Sequence, residues 1–349
     1  MLRNRPVYVH EISAAIVLLL LAVKSWGDTK SASEQLLRVL AAEQDRSLSK
    51  IQTLAVRRNF EYMRSTPRGV ERQKGSLYHI FDGPKSVAVV DREYVGKPLG
   101  MGDGTSVLSG RQWVIAGDSS VFTFAAEINS AHLMEFDSSR SRPKDLNNLV
   151  DMHLFAQPLR FGFGVDDITL KEAASPRFQV RHRVEAEPAA DGTNYIVRVF
   201  HRPEYVPDVA HPIWEMTVDS KQGYLITEGL MRDPDGKVYR HIKSRGAEVQ
   251  PGVWFSVEWD DTFYGPIDPR TGQAEIFESK HCTSTEVKIN PDLPEDTFTW
   301  QSLKLPDGTR VTRTTALGKT DTMTVQGNEL IPSRLIQKGS SRLPSVTSK

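Results

Sequence analysis

The chain has 349 residues, room for one large domain or two, and its 44 Lys and Arg are matched by 44 Asp and Glu. That neutrality excludes the strong net field on which nucleic-acid or anionic-membrane binding depends. Cys282 is the only cysteine, so no internal disulfide can form and stability must come from the core.

The first residues read as a processing signal. Arg3 and Arg5 form a basic start, Ile12 to Val23 is an apolar run interrupted only by Ser13, and Ser25-Trp26-Gly27 supplies small residues where a signal peptidase cuts. The run is short for a bilayer span, which takes about 20 apolar residues. Cleavage after Gly27 is expected, giving an exported protein with no stable transmembrane anchor after processing. The expected organisation is a signal peptide over 1–27, a single domain over 28–330 and a polar, disordered tail over 331–349.

After the signal, Leu36, Leu37, Leu40 and Ala41 fall on one helical face between Ser33 and Ser47, with Ser33 as the expected N-cap. From Leu54 to Met63 the period changes to two: Leu54, Val56, Phe60 and Tyr62 share a face, and Arg57, Asn59 and Glu61 take the other. Arg58 lies on the apolar face and breaks the pattern. Strands are expected over Gly75 to Phe81, Ser86 to Tyr94, Arg111 to Ala116 and Val121 to Ala125, punctuated by turn residues such as Asp82-Gly83-Pro84. Gly96 to Gly104 lacks the strand and helix that a phosphate-cradling loop requires and reads as a connection.

Leu146, Leu149, Val150 and Leu154 predict a short helix within Lys144 to Phe155. The glycine-interrupted run Leu159 to Gly164, carrying Phe161 and Phe163, is a candidate flap at a cavity mouth, with a packed loop as the plainer alternative. Further strands are expected over Arg177 to Val184, Asn194 to Phe200, Ile213 to Val218, Gly223 to Met231, Val238 to Val249, Val253 to Phe263 and Glu275 to Ile289. Glu286 to Trp300 then reads as the end of a strand, a rigid corner set by Pro291 and Pro294, and an aromatic latch of Phe298 and Trp300.

Catalytic patterns are sparse. There is no His-Glu-x-x-His, no Cys-x-x-Cys and no Gly-x-Ser-x-Gly, so neither a metal site nor a nucleophile elbow is expected, and no cofactor is implied. Glu258, Asp260 and Asp261 are the densest acidic group near aromatics, but Glu258 and Asp260 alternate away from Val257 and Trp259 and read as a solvated face. Cys282 reads as a small buried hydrophobe.

Two amphipathic helices against roughly a dozen strands leave more apolar strand face than helices can cover. A second sheet would cover it; so would a curved sheet wrapped around a helix, with room for a hydrophobic ligand.

The order of features, with Asp219-Ser220-Lys221-Gln222-Gly223 between two strands, then Gln250-Pro251-Gly252-Val253-Trp254-Phe255, then Val287 to Pro294 followed by Phe298, resembles the LolA-like family of periplasmic lipoprotein carriers. The resemblance is clearest over 212–311, thinner over 31–130, and does not extend to 130–190. It implies a mainly β (α+β) fold, a large curved antiparallel sheet forming an incomplete β-barrel with helices covering the concave face. It also implies a periplasmic location and a hydrophobic cavity for acyl chains. Carriers of that family hold their lid with a buried arginine, for which Arg58 is the counterpart the resemblance offers; an ion pair or cation–π contact inside an ordinary core explains its place as well.

The leading expectation is an exported, non-catalytic carrier of a lipid, a lipoprotein acyl chain or another hydrophobic envelope molecule. The cavity residues expected are Arg58, Phe60, Tyr62, Phe161, Phe163, Trp214, Met216, Phe255 and Trp259. The alternatives are an envelope stress-sensor or interaction module gripping a protein partner through the same fold, and a hydrolase centred on Glu258 to Asp261.

Overall fold

A computed structural model describes residues 29–333, other than 68, 84, 95–109, 127, 137–163, 166–167, 207–209 and 268–273. The expected signal segment, the glycine-rich connection, the helix within 144–155 and nearly all of the 159–164 run lie outside the described residues. So do Phe161 and Phe163. Chain contacts divide the protein into two compact units, residues 1–50 with 159–256 and residues 51–158 with 257–349.

The first unit contains α1 (Thr29–Ser49), β7 (Gly164–Val165), β8 (Ile168–Thr169), α2 (Leu170–Ala173), α3 (Pro176–Gln179), β9 (His182–Pro188), β10 (Asn194–His201), β11 (Trp214–Asp219), β12 (Leu225–Arg232), β13 (Val238–Gln250) and the start of β14 (Val253–Ile267). Its main strands follow the order β14-β13-β12-β11-β10-β9. The second unit contains β1 (Thr53–Thr66), β2 (Gly69–Asp82), β3 (Lys85–Tyr94), β4 (Gly110–Ala116), β5 (Ser120–Ala125), β6 (Ser130–Glu135), the rest of β14, β15 (Ala274–Ile289), β16 (Arg310–Thr314), β17 (Thr320–Gln326) and β18 (Glu329–Pro332). There the order is β18-β17-β16-β6-β5-β4-β3-β2-β1-β15-β14. The fold class is as expected: mainly β, one large sheet left open rather than closed into a barrel. Among the described residues one pairing departs from the antiparallel rule, since β16 runs parallel to β6.

In the first unit α1 lays its apolar stripe on the sheet. Leu36, Leu37, Leu40 and Ala41 are buried in a core with Val184, Val197, Val199, Met216, Val218 and Ile226. Burial of each leucine contributes about 1.5–3 kcal/mol. The helix begins earlier than its sequence signal, at Thr29, so Ser33 is not the N-cap. Its hydroxyl instead accepts the Ala186 N–H of β9 at 2.7 Å, which satisfies a donor on the outermost strand of this unit. Gln44, fully buried on the same helix, donates to the Tyr224 carbonyl and accepts from the Leu170 N–H, both at 3.1 Å. Gln44→Ala is expected to cost about 2–4 kcal/mol, because two buried backbone groups lose their partner. Gln44→Leu should cost as much despite its better fill. Urea denaturation checks both.

Three local expectations are corrected. Residues 177–179 are helical rather than extended: Ser175 caps Phe178 N–H and Pro176 occupies the first turn, a start signal that outweighs the short apolar alternation behind it. Gly223 sits at φ +65° after a 3-10 turn capped by Asp219, so the next strand starts at Leu225. β6, β17 and β18 carry weak alternation and were not anticipated.

In the second unit, one sheet face carries Ala55, Ile80, Val87, Ile115, Phe122, Phe124, Ala131 and Leu133. The segment after β15 crosses it, and Leu293, Phe298, Trp300, Leu303 and Leu305 pack there. The latch expected over Glu286 to Trp300 therefore forms, with the Trp300 ring centroid 6.1 Å from that of Phe122. Asn290 makes the corner: at φ +50° its side-chain oxygen accepts the N–H groups of Gln52 and Thr53 at 2.8 and 3.0 Å.

Candidate functional site

The opposite face of the second unit's sheet holds the expected site residues of β1. Strand register aligns Leu54 with Ile289, Val56 with Val287, Arg58 with Ser284, Phe60 with Cys282 and Tyr62 with Lys280. On the far side β2 places His79, Leu77 and Gly75 opposite Val56, Arg58 and Phe60, while β14 places Trp259 and Asp261 opposite Cys282 and Lys280. Leu54 to Tyr62 covers about 26 Å of strand at about 3.3 Å per residue. Leu54, Val56, Phe60, Leu77, Val90, Trp259 and Cys282 are all buried.

Arg58 is 1% exposed within that apolar field. The register slips by one residue between Arg57 and Arg58, a bulge that brings Arg58 opposite Ser284, and its Nε donates to the Ser284 hydroxyl at 3.2 Å. Burial lowers its pKa to about 10, against a smaller opposing influence from Cys282, so the guanidinium remains charged near neutral pH. Gly75 is required beside it. A Cβ there would collide with the Asp91 carbonyl oxygen and come within 2.9 Å of Phe60 Cζ, so the glycine admits the Phe60 ring. Burial pushes the Cys282 thiol up to about 12, which makes it a poor nucleophile.

One end of the face is ionic, which the sequence reading missed. Lys280 is 3% exposed, donates to Glu278 at 2.7 Å, and lies 5.2 Å from the Phe263 ring centroid. Asp261, equally buried, faces it across the β14–β15 pair. Burial raises the Tyr62 hydroxyl well above its ordinary range, with Glu278 adding to the effect. The available signal was periodicity: Lys280 stands two residues from Cys282, on the same face of its strand.

The solvent-side face of these strands carries an open groove of about 750 Å³, lined by Asn59, Glu61, Lys74, Ser76, Asp91 and His281 among others. Beside it Asp260 accepts from His281 Nδ1 at 2.8 Å, and His281 Nε2 meets the Thr283 hydroxyl at 3.2 Å. A carboxylate, imidazole and hydroxyl in series resemble catalytic machinery, but they lie mid-sheet, where backbone N–H groups are committed to neighbouring strands and not turned toward an oxyanion. The Glu258 to Asp261 group does not converge: Asp260 is exposed and pairs with His281, whereas Asp261 is buried on the other face. Among the described residues no group of three or more His, Cys, Asp or Glu could hold a metal ion, and no helix is long and apolar enough to cross a membrane.

The remaining expected residues belong to the first unit. Met216 and Phe255 are fully buried, and Met216 packs in the α1 core. Trp214 is partly buried and stacks near Phe178 and His182. In this unit the apolar sheet face is filled by the protein's own helix.

No family model and no curated protein matches the chain. Solved structures do. The chain is similar in fold to a LolA superfamily protein. That structure, from Nitrosomonas europaea, has 11% identity and a TM-score of 0.34, over 74% of this chain and 98% of that one. A DUF1329 family protein from Desulfovibrio piger matches with 12% identity and a TM-score of 0.39, and a putative outer membrane lipoprotein-sorting protein domain from Vibrio parahaemolyticus with 9% and 0.39. Each of these two alignments covers 79% of this chain and 99% of the other. With similarity this remote, function is read from this chain's own residues.

Proposed function

We propose that the protein is an exported, non-catalytic binding or carrier protein for a lipid, a lipoprotein acyl chain or another hydrophobic envelope molecule. The observation that carries this reading is Arg58, a charged guanidinium buried at 1% among the apolar side chains of the sheet face, away from its ionic end. Burying such a group costs several kcal/mol and stabilises a fold no better than a well-packed apolar residue. Its presence among Leu54, Val56, Phe60, Leu77 and Trp259 suits a ligand with an apolar body and a polar linkage, such as an acyl ester or amide. Each methylene placed on such a face would contribute about 0.8 kcal/mol.

Lipid extraction and native mass spectrometry of the protein purified from its own envelope test the reading. Co-purifying acyl lipid is the expected result, and Arg58→Met should lose that lipid while keeping or gaining thermal stability. Purified protein free of lipid, with lipid failing to bind on addition, would overturn it. A second reading is favoured by one feature: Val70, Ile276 and Phe277 are large apolar residues left 41–49% exposed in the second unit. They fit an interaction module gripping a protein partner, and a stoichiometric protein partner without lipid in the same preparation would support that module instead.

A further inference from the structure

In the first unit four rings gather where β9 begins. His182 and His201 are direct partners across the β9–β10 pair, with ring centroids 5.6 Å apart. The His182 ring stacks on Phe178 of α3 at 4.3 Å and 21°, and Trp214 of β11 lies 6.1 Å from His182 and 6.0 Å from Phe178. His182 Nδ1–H donates to the Phe178 carbonyl at 3.2 Å, and Arg202 Nε donates to the Gln179 carbonyl at 2.8 Å. α3 buries no residue fully, so this stack and these carbonyl bonds hold its four residues to the sheet.

Basic residues flank the stack. Arg177 comes from α3, Arg181 from the residues joining α3 to β9, and Arg202 follows β10, whereas Arg183, next to His182 on β9, alternates onto the opposite face and lies over the Phe200 ring. Glu185, Glu187 and Glu215 also alternate onto that opposite face, where they pair with Arg183 and Arg198, and the carboxylate following β10, Glu204, is exposed. We propose that protonation of His182 releases residues 176–181 from the sheet, so that this corner is a latch which opens as the medium turns acid. An imidazolium stacked on Phe178 and Trp214 would gain some cation–π attraction. That gain is opposed by the desolvation of the ring and by the nearby Arg181 guanidinium.

Burial holds His182 below its ordinary value, with His201 and Arg181 acting in the same direction and the Phe178 carbonyl against them. A histidine lowered in the folded state contributes stability that is fully present above its unfolded value of about 6.5 and is lost as pH falls below it. One such group weakens the closed state by at most about 30-fold at pH 5.

Hydrogen exchange of the full chain at pH 7.5 and pH 5, corrected for intrinsic exchange chemistry, reads the latch directly. Amides of 178–181 should lose protection by several-fold to about 30-fold at pH 5, while α1 amides stay unchanged. His182→Phe keeps a ring in the stack and removes the titrating group, and it should abolish most of that acid response. Equal protection at both pH values, or the same acid response in His182→Phe, would overturn the proposal. NMR titration of the His182 imidazole in the native chain gives a readout independent of the variant, and an ordinary or raised value would also overturn it.

Discussion

Lys280→Ala is expected to cost about 3–5 kcal/mol, the loss typical of removing one partner from a buried ion pair. The effect lies less in the vanished attraction than in what remains. Glu278 and Asp261 would be left on the buried face without the ammonium that stands between β14 and β1. Lys280→Met restores most of the volume and should recover little, because the carboxylates are unchanged. Replacing all three by apolar residues of similar size should return the protein to within a few kcal/mol of wild type, or above it. Chemical denaturation of this series separates charge from packing. If the apolar triple variant is stable yet no longer binds lipid, the ionic end is there for recognition and not for the fold.

Trp259→Ala should be of similar size, about 3–5 kcal/mol, since a side chain buried at 1% leaves a cavity its rigid sheet neighbours cannot close. At about 2–4 °C per kcal/mol for a large domain, the melting temperature should fall by on the order of ten degrees. The same variant carries a local reporter. Trp259 lies opposite Cys282 across β14 and β15, and the wild-type thiol is buried with its pKa near 12. A thiol reagent at pH 8 should therefore leave the native protein unlabelled and label the variant under conditions where it is still folded. Unchanged labelling together with an unchanged melting temperature would mean that Trp259 is not part of the packed face.

The strand face was legible because period-two alternation needs only local sequence. Leu54, Val56, Phe60 and Tyr62 declared one face of β1, and Arg58 was visible as its exception. The aromatic latch was legible for a similar reason, since Pro291 and Pro294 fix a corner and Phe298 and Trp300 need a surface to cover. The ionic end was not read, because it comes from three strands: Lys280, Asp261 and Tyr62 become neighbours only once register is known. The His182 stack was hidden differently. A four-residue helix opening on Ser175-Pro176 interrupts what reads as a strand, and so the ring partners of Phe178 could not be assigned. The parallel placement of β16 against β6 has no local signature at all.

That parallel pairing dictates an order of events during folding. Arg313 of β16 meets Glu135 of β6 at a sequence separation of 178, and Arg58 of β1 meets Ser284 of β15 at a separation of 226. The meander from β1 to β6 can assemble from adjacent hairpins as the chain emerges, whereas its two outer strands acquire their partners only when the C-terminal part arrives. Until then both edges offer free backbone donors and acceptors to any other chain. Such distant closure is slow, because loop entropy is lost before the contacts reward it. Pulse-labelling during refolding should show hairpin amides of β2 to β5 protected before those of β6 and β15. A chain ending before Arg310 would keep β6 as a permanent sticky edge and should aggregate, even though the apolar face with Arg58 lies elsewhere in the unit.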